Sequence, residues 1–254
     1  MTTVYKAVLL AAGRGQRLAP HTDHMPKPML LLDGKPLLEY VLCNLRHIGI
    51  SQVLIITGHL GEQISTYFGN GRSLDLELHY AVQSTQKGNA AAALLAESFI
   101  GDDAFFLGWG DIIAATSDCQ NLATTFSQIS SDGLLLLNYV EDPHAGAAVY
   151  LDGDRITAIH EKPPEGRSNT HWNQAGASMY TPEIFSCLHQ LTLSERGEYE
   201  FTGAVQLLIE RGLKVCGLPM QHPRIHLTRP EDIEAATELL SIDSSYSPPK
   251  AVES

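Results

Sequence analysis

The sequence predicts an α/β fold, a single domain with a mixed, mainly parallel central sheet and helices on both faces. Three observations predict it. In the first half, short apolar runs alternate with amphipathic stretches. That is the pattern of parallel strands joined by right-handed helical crossovers. In the second half, strands follow one another with little helix between them. Short connections of that kind bring antiparallel pairs into the sheet. Finally, a glycine-rich turn follows the first strand directly, at the strand end where such sheets place their ligands.

The elements follow in chain order. Residues 4–10 form a buried strand. Residues 36–48 form a helix, with Leu37, Leu38, Val41, Leu42, Leu45 and Ile48 at helical spacing and Pro36 in its first turn. Residues 52–57 are a second apolar strand, 62–68 a short helix closed by Gly69, and 76–82 a third strand. The Ala-rich stretch 89–99 is helical, and 104–107 is a fourth strand. Beyond it, 133–140, 147–151 and 155–160 are strands, with Asp152-Gly153-Asp154 as a hairpin turn. Residues 182–191 and 202–212 are helices, 214–218 a strand and 230–240 a terminal helix. The Ser- and Pro-rich stretch 241–254 is expected to fray as a flexible tail.

Composition excludes several function classes. A formal net charge of −12 opposes nucleic-acid binding, which needs a basic face. Yet four of the seventeen Lys and Arg residues fall between Arg14 and Lys35, so positive charge is concentrated in one segment. No apolar run reaches transmembrane length, and the N-terminus has no signal-peptide core. The expected location is the cytoplasm, away from membranes. The four cysteines are far apart and read as reduced core thiols. The eleven histidines show no metal-ligand spacing.

The glycine turn, Ala11-Ala12-Gly13-Arg14-Gly15-Gln16-Arg17-Leu18, carries the chemistry. Glycines let backbone N–H groups approach a polyanion, and Arg14, Arg17 and the later Lys27 neutralise phosphate charge. The residues therefore point to a nucleoside triphosphate. They do not form a Walker A loop, which ends in Gly-Lys-Ser/Thr. Nor do they form a dinucleotide fingerprint, because Leu18 stands at the third glycine position. Asp111 follows the fourth strand within Gly108-Trp109-Gly110-Asp111. A carboxylate at a strand end can hold Mg²⁺ against phosphate oxygens, or simply cap a turn.

The run from Leu10 to Pro28, closing on Pro26-Lys27-Pro28, resembles the signature of the sugar-1-phosphate nucleotidyltransferases, L-A-A-G-x-G-x-R-L-x-P-x-T-x-x-x-P-K-P. The resemblance implies a single Rossmann-like nucleotidyltransferase domain over 1–240, with a nucleotide-binding half at 1–115 and a sugar-phosphate-binding half at 133–240. It implies transfer of a nucleoside monophosphate from a nucleoside triphosphate to a sugar 1-phosphate, with release of pyrophosphate. Ala11, Ala12, Gly13, Arg14 and Gly15 would line the nucleotide, and Arg17 and Lys27 would hold its phosphates. Gln83 to Gly88 is similar to the segment that reads the base, and Asp111 matches the family's metal ligand. Glu161-Lys162-Pro163 matches the motif whose lysine sits near the sugar phosphate. Gly146, Asn173 in Asn173-Gln174-Ala175-Gly176, and Glu198 in Glu198-Tyr199-Glu200-Phe201-Thr202 resemble sugar-contacting positions. Alanine at 145 departs from the usual tyrosine.

The main departure lies in Arg224-Ile225-His226, where the family usually carries W-x-D and its aspartate is a second metal ligand. The helix start Pro230-Glu231-Asp232-Ile233 aligns, and it puts His226 at that aspartate's place. Imidazole suits Mn²⁺ or Co²⁺ better than Mg²⁺. Three consequences stay open: Asp111 holds the metal alone, the preference moves from Mg²⁺ toward Mn²⁺ or Co²⁺, or activity is weakened. A cyclitol phosphate or phosphoalcohol acceptor, and a nucleotide-binding sensor with weak catalysis, remain alternatives. A homo-oligomer is left open as a partner state.

Overall fold

The computed structural model describes residues 3–246. The first half contains β1 (Lys6–Ala11), the small hairpin β2 (Leu31–Leu32) and β3 (Lys35–Pro36), α1 (Leu37–His47), β4 (Gln52–Thr57), α2 (Gly61–Phe68), β5 (Glu77–Val82), α3 (Asn89–Leu94), α4 (Glu97–Ile100), β6 (Phe105–Trp109), β7 (Ile112–Ile113) and α5 (Thr116–Gln128). The second half contains β8 (Gly133–Tyr139), β9 (Ala147–Asp152), β10 (Arg155–Glu161), β11 (Trp172–Tyr180), α6 (Glu183–Leu188), α7 (Phe201–Glu210), β12 (Val215–Pro219), β13 (Ile225–His226) and α8 (Glu231–Ile242).

Nine strands form one mixed sheet in the order β5-β4-β1-β6-β11-β8-β12-β10-β9. Strands β5, β4, β1 and β6 are mutually parallel. Their C-terminal ends therefore share one edge, and the loops after β1, β5 and β6 gather there. Strand β11 enters antiparallel beside β6 and carries the sheet into the second half. There β8 and β12 are parallel, while β9 and β10 form the expected hairpin. Strand β9 also pairs with β11, which curls this half of the sheet back on itself.

Side-chain alternation explains the two cores. Ala7, Leu9 and Ala11 of β1 face one cluster with α1, α5 and α8. Val8 and Leu10 face the other, with α3, α6 and α7. Both faces of β1 are thus buried, which is why it reads as an unbroken apolar run.

The short strands β2, β3, β7 and β13 were not expected, and three larger departures have a physical reason. The helix expected over 89–99 is two short helices, because the N–H groups of Leu95 and Ala96 bond only three residues back, to Ala92 and Ala93. Helix α5 was not expected. Its sequence is rich in Ser and Thr, with Asp118 and Asn121, residues that compete with the helix for backbone hydrogen bonds, and burial of Cys119, Leu122 and Phe126 carries it instead. The stretch beginning at 241 does not fray at its start. Helix α8 runs on to Ile242, and Tyr246 is fully buried with its hydroxyl donating to Pro223 O at 2.5 Å. The remainder of that stretch, 247–254, lies outside the described residues. No helix among the described residues is long and apolar enough to cross a membrane.

Candidate active site

The residues that close β1 build the floor of the site. Gly15 adopts a left-handed conformation (φ 64°), and a Cβ there would meet Lys27 Cβ and Thr22 Cγ2, each at 3.1 Å. Glycine is therefore required for both conformation and close approach. Thr22 Oγ1 donates to Gly15 O at 3.0 Å and fixes the turn. Leu18 is 1% exposed and anchors the short 3₁₀ turn Gln16–Leu18 in the core. This explains the leucine where a dinucleotide loop has glycine. Gly13 has nothing within 4 Å of where its Cβ would be, so its backbone faces open space.

Lys27 is 8% exposed, and its Nζ lies 2.5 Å from Asp111 Oδ2. Asp111 follows β6, and the β7–β13 pairing sets His226 opposite Ile112, the next residue. His226 is pushed down to about 4, first by burial, then by the Lys27 charge; Asp111 opposes the shift, while Arg224 and Arg17 add to it. The imidazole is thus neutral near pH 7, as a metal-binding nitrogen must be.

The loop after β5 forms one wall. Gln83 Nε2 donates to Gly88 O at 2.9 Å, and Gln86 Nε2 donates to Ala12 O at 3.1 Å. Gly88 sits at φ 104°, and a Cβ there would lie 2.3 Å from Tyr199 O. The Tyr199 backbone is by itself enough to require glycine here. Tyr199 N donates to Lys87 O and Ala90 N donates to Tyr199 O, which brings the neighbouring Glu198 to the rim.

These groups converge on a cavity of about 530 Å³. Its lining includes twelve positions singled out from the sequence: Ala11, Ala12, Gly13, Arg14, Gly15, Arg17, Lys27, Gln83, Gly88, Asp111, Glu198 and His226. Gln86 and Trp109 also line it. Sequence reasoning missed both as site residues, although Gln86 lies within the motif quoted for its glutamine and Trp109 stands two residues before Asp111.

Gly146, Glu161, Lys162 and Asn173 do not line the cavity. They form a second cluster on β9, β10 and β11. Gly146 admits Asn173, whose Nδ2 would lie 2.4 Å from a Cβ at 146. Asn173 is 3% exposed, donates to Ala147 O at 3.1 Å and accepts from Arg224 Nη2 at 3.2 Å. These two bonds make Asn173 a brace between the start of β9 and Arg224, with one amide N–H and one oxygen lone pair left over. Lys162 is exposed at φ 42°, with its N–H donating to Gly146 O at 2.7 Å. Burial pushes the Glu161 carboxyl up, against the charges of Lys162 and Arg196. Arg196, which sequence reasoning also missed, pairs with Glu200 at 2.7 Å and lies 3.8 Å from Glu161.

Among the described residues no three His, Cys, Asp or Glu side chains come together as a metal-binding group. One carboxylate completed by substrate phosphate oxygens is nevertheless a common Mg²⁺ arrangement, and Asp111 fits it.

Comparison with known proteins gives a consistent result. A family model described as nucleotidyl transferase matches residues 6–222. The chain is 35% identical over 242 residues to the low-salt glycan biosynthesis nucleotidyltransferase Agl11 of Haloferax volcanii, covering 94% of this chain and 67% of that protein. It is 32% identical over 243 residues to the UTP–glucose-1-phosphate uridylyltransferase AglF of the same organism, covering 94% and 98%. Among solved structures, a UDP-glucose pyrophosphorylase in complex with UDP-glucose superposes with a TM-score of 0.85 at 22% identity, over 94% of this chain and 99% of that one.

Proposed function

The chain belongs to the nucleotidyl transferase family, and on that premise we propose that it transfers a nucleoside monophosphate from a nucleoside triphosphate to a sugar 1-phosphate. The products are a nucleoside-diphosphate sugar and pyrophosphate. The observation that carries this reading is the convergence of the Gly13–Gly15 backbone, Arg17, Lys27 and Asp111 on one cavity at the carboxyl edge of the parallel strands.

An oxygen of the sugar phosphate attacks the α-phosphorus in line, and the β-phosphate oxygen leaves with pyrophosphate. Such a reaction needs alignment and charge neutralisation rather than a protein nucleophile. Backbone N–H groups at 13–15 approach the phosphates, and Arg14, Arg17 and Lys27 balance their charge. The Gln83 amide, with one N–H held by Gly88 O, keeps its carbonyl for the edge of a base. Trp109 offers a flat apolar surface in the same cavity. Lys162, exposed beside Gly146, supplies the charge that balances the sugar phosphate, and Glu198 at the cavity rim faces the sugar. A divalent ion, Mg²⁺ first and Mn²⁺ or Co²⁺ where His226 joins, would be held by Asp111 and would supply further charge neutralisation at the phosphates.

The test is pyrophosphate release from the full chain across a matrix of nucleoside triphosphates and phosphorylated sugars and cyclitols, with Mg²⁺ and Mn²⁺ run separately. Turnover with one triphosphate and one sugar 1-phosphate supports the reading. Turnover only with a cyclitol phosphate moves the acceptor, and binding without turnover in every combination refutes catalysis.

A further inference from the structure

Asp118 is a buried carboxylate that the proposed reaction does not use. It is 1% exposed in the first turn of α5, the helix that the sequence did not predict. Its oxygens face one short stretch of chain. Gln221 N–H donates to Oδ1 at 2.9 Å, His222 N–H donates to Oδ2 at 3.1 Å, and His222 Nδ1 lies 3.3 Å from Oδ2. At the next residue, the Tyr246 hydroxyl donates to Pro223 O. Tyr246 lies past the end of α8 and is fully buried. Two side chains far apart in sequence thus grip the consecutive residues 221 to 223.

The chain that follows this grip is a wall of the cavity. Arg224 bonds to β11, Ile225 and His226 form β13, and His226, Leu227 and Thr228 line the cavity. Strand β13 pairs with β7 only through Ile225 opposite Ile113 and His226 opposite Ile112. A ladder that short does not hold its own place, so the wall takes its position from the anchors at its ends. At the far end, Asp232 accepts from Thr228 N–H at 2.6 Å and from the Thr228 hydroxyl at 2.8 Å. At the near end the anchors are Asp118 and Tyr246. A carboxylate that accepts two backbone N–H groups holds them more firmly than a neutral oxygen does. The cavity lining includes neither Asp118 nor Tyr246.

We propose that Asp118 and Tyr246 are positioning residues, which together latch residues 221–223 so that His226 to Thr228 stand as one wall of the active cavity. This rests on the reading of the cavity as the nucleotide site. Both side chains act through the placement of backbone, without touching substrate. Helix α5 and the chain after α8 thereby gain a part in the site.

The test joins hydrogen exchange to kinetics on the full chain. Asp118→Asn keeps the shape and one acceptor oxygen, and Tyr246→Phe removes only the hydroxyl. Tyr40→Phe is the control, because the Tyr40 hydroxyl donates to Leu32 O at 2.9 Å in the same core cluster. Exchange is read by mass spectrometry without nucleotide, at a temperature where calorimetry shows every protein folded. Asp118→Asn and Tyr246→Phe speed exchange in peptides spanning 221–228 by about tenfold or more, and leave β1 and β4 unchanged. Tyr40→Phe leaves 221–228 unchanged. In pyrophosphate release, kcat/KM falls about ten- to a hundredfold in the two latch variants and stays at the wild-type value in Tyr40→Phe. Unchanged exchange across 221–228 in the folded latch variants overturns the inference, and so does loosening of that stretch with kcat/KM intact. An equal loss of activity in Tyr40→Phe overturns it as well, since any buried hydroxyl would then serve. Should Asp118→Asn fail to fold, Tyr246→Phe decides by the same two readouts. A wild type that releases no pyrophosphate with any triphosphate and sugar phosphate refutes the proposed reaction, and exchange across 221–228 then decides the latch by itself.

Discussion

Replacing Lys27 with methionine isolates the charge that pairs with Asp111 beside the glycine loop. The unbranched side chain keeps the packing of Cβ against Gly15 and removes only the ammonium. In the wild type the two side chains are 10% and 21% exposed, with 2.5 Å between Nζ and Oδ2. Breaking a buried pair by removing one partner costs about 3–5 kcal/mol, since the other charge is left behind. Water reaches Asp111 to a fifth of its surface, so the lower end applies, about 3 kcal/mol. For a domain of this size that lowers Tm by about 6–12 °C. Loss of a charge-assisted contact to phosphate removes a further ~1.5–3 kcal/mol of transition-state stabilisation. The corresponding drop in kcat/KM is about ten- to a hundredfold. Scanning calorimetry reads the first effect and pyrophosphate release reads the second. Lys27→Met combined with Asp111→Asn separates them: removing both charges restores part of the stability and none of the activity. Near wild-type turnover of Lys27→Met would refute a phosphate-binding role, and an unchanged Tm would refute the energetic weight given to the pair.

Arg17→Ala lowers pyrophosphate release about ten- to a hundredfold through loss of one charge-assisted contact. Its Tm stays unchanged in calorimetry because Arg17 is exposed. Gly88→Ala places a methyl group 2.3 Å from Tyr199 O at φ 104°, so it displaces the segment carrying Glu198; a lowered Tm and a raised KM for the sugar phosphate are the expected result. Steady-state kinetics with unaltered KM would show that Glu198 does not depend on this contact. Burial and the neighbouring cations push the His226 imidazole down to about 4 from its ordinary 6.5, which makes stability depend on pH. Below 6.5 the unfolded chain binds a proton that the folded chain refuses, so stability falls as pH drops from about 6.5 to about 4 and this contribution changes no further below that. The loss is at most about 3 kcal/mol. Urea unfolding of the wild type and His226→Gln across that window checks it, and parallel pH curves would place His226 outside the cation cluster.

Much of the site was legible because its parts are local. The strand, the left-handed glycine and the two arginines lie within one short run, and such a run imposes its own turn chemistry. Asp111 was legible because a carboxylate after an apolar strand sits at the ligand edge of an α/β sheet. Gln83 and Gly88 were legible as a motif, but the reason for the glycine was not. It answers to the Tyr199 backbone, which is distant in sequence. Asn173 was read as a sugar contact from its motif, and the motif gave no sign of its hydrogen bonds to Ala147 and Arg224. Helix α5 was illegible because its propensity is poor and its stability comes from neighbours.

The sequence by itself determined the α/β class, the order of most strands and helices, and the concentration of cations beside a glycine loop. Each of these depends on residue type and short-range spacing, which any window of the chain displays. Only the tertiary structure decided that Lys27 pairs with Asp111, that Gly88 seats Tyr199, and that Arg224 ties the segment before β13 to β11. Those contacts depend on strand order and register across a nine-stranded sheet. Register is set by the simultaneous burial of both faces, a condition of the whole fold that no local run of residues contains.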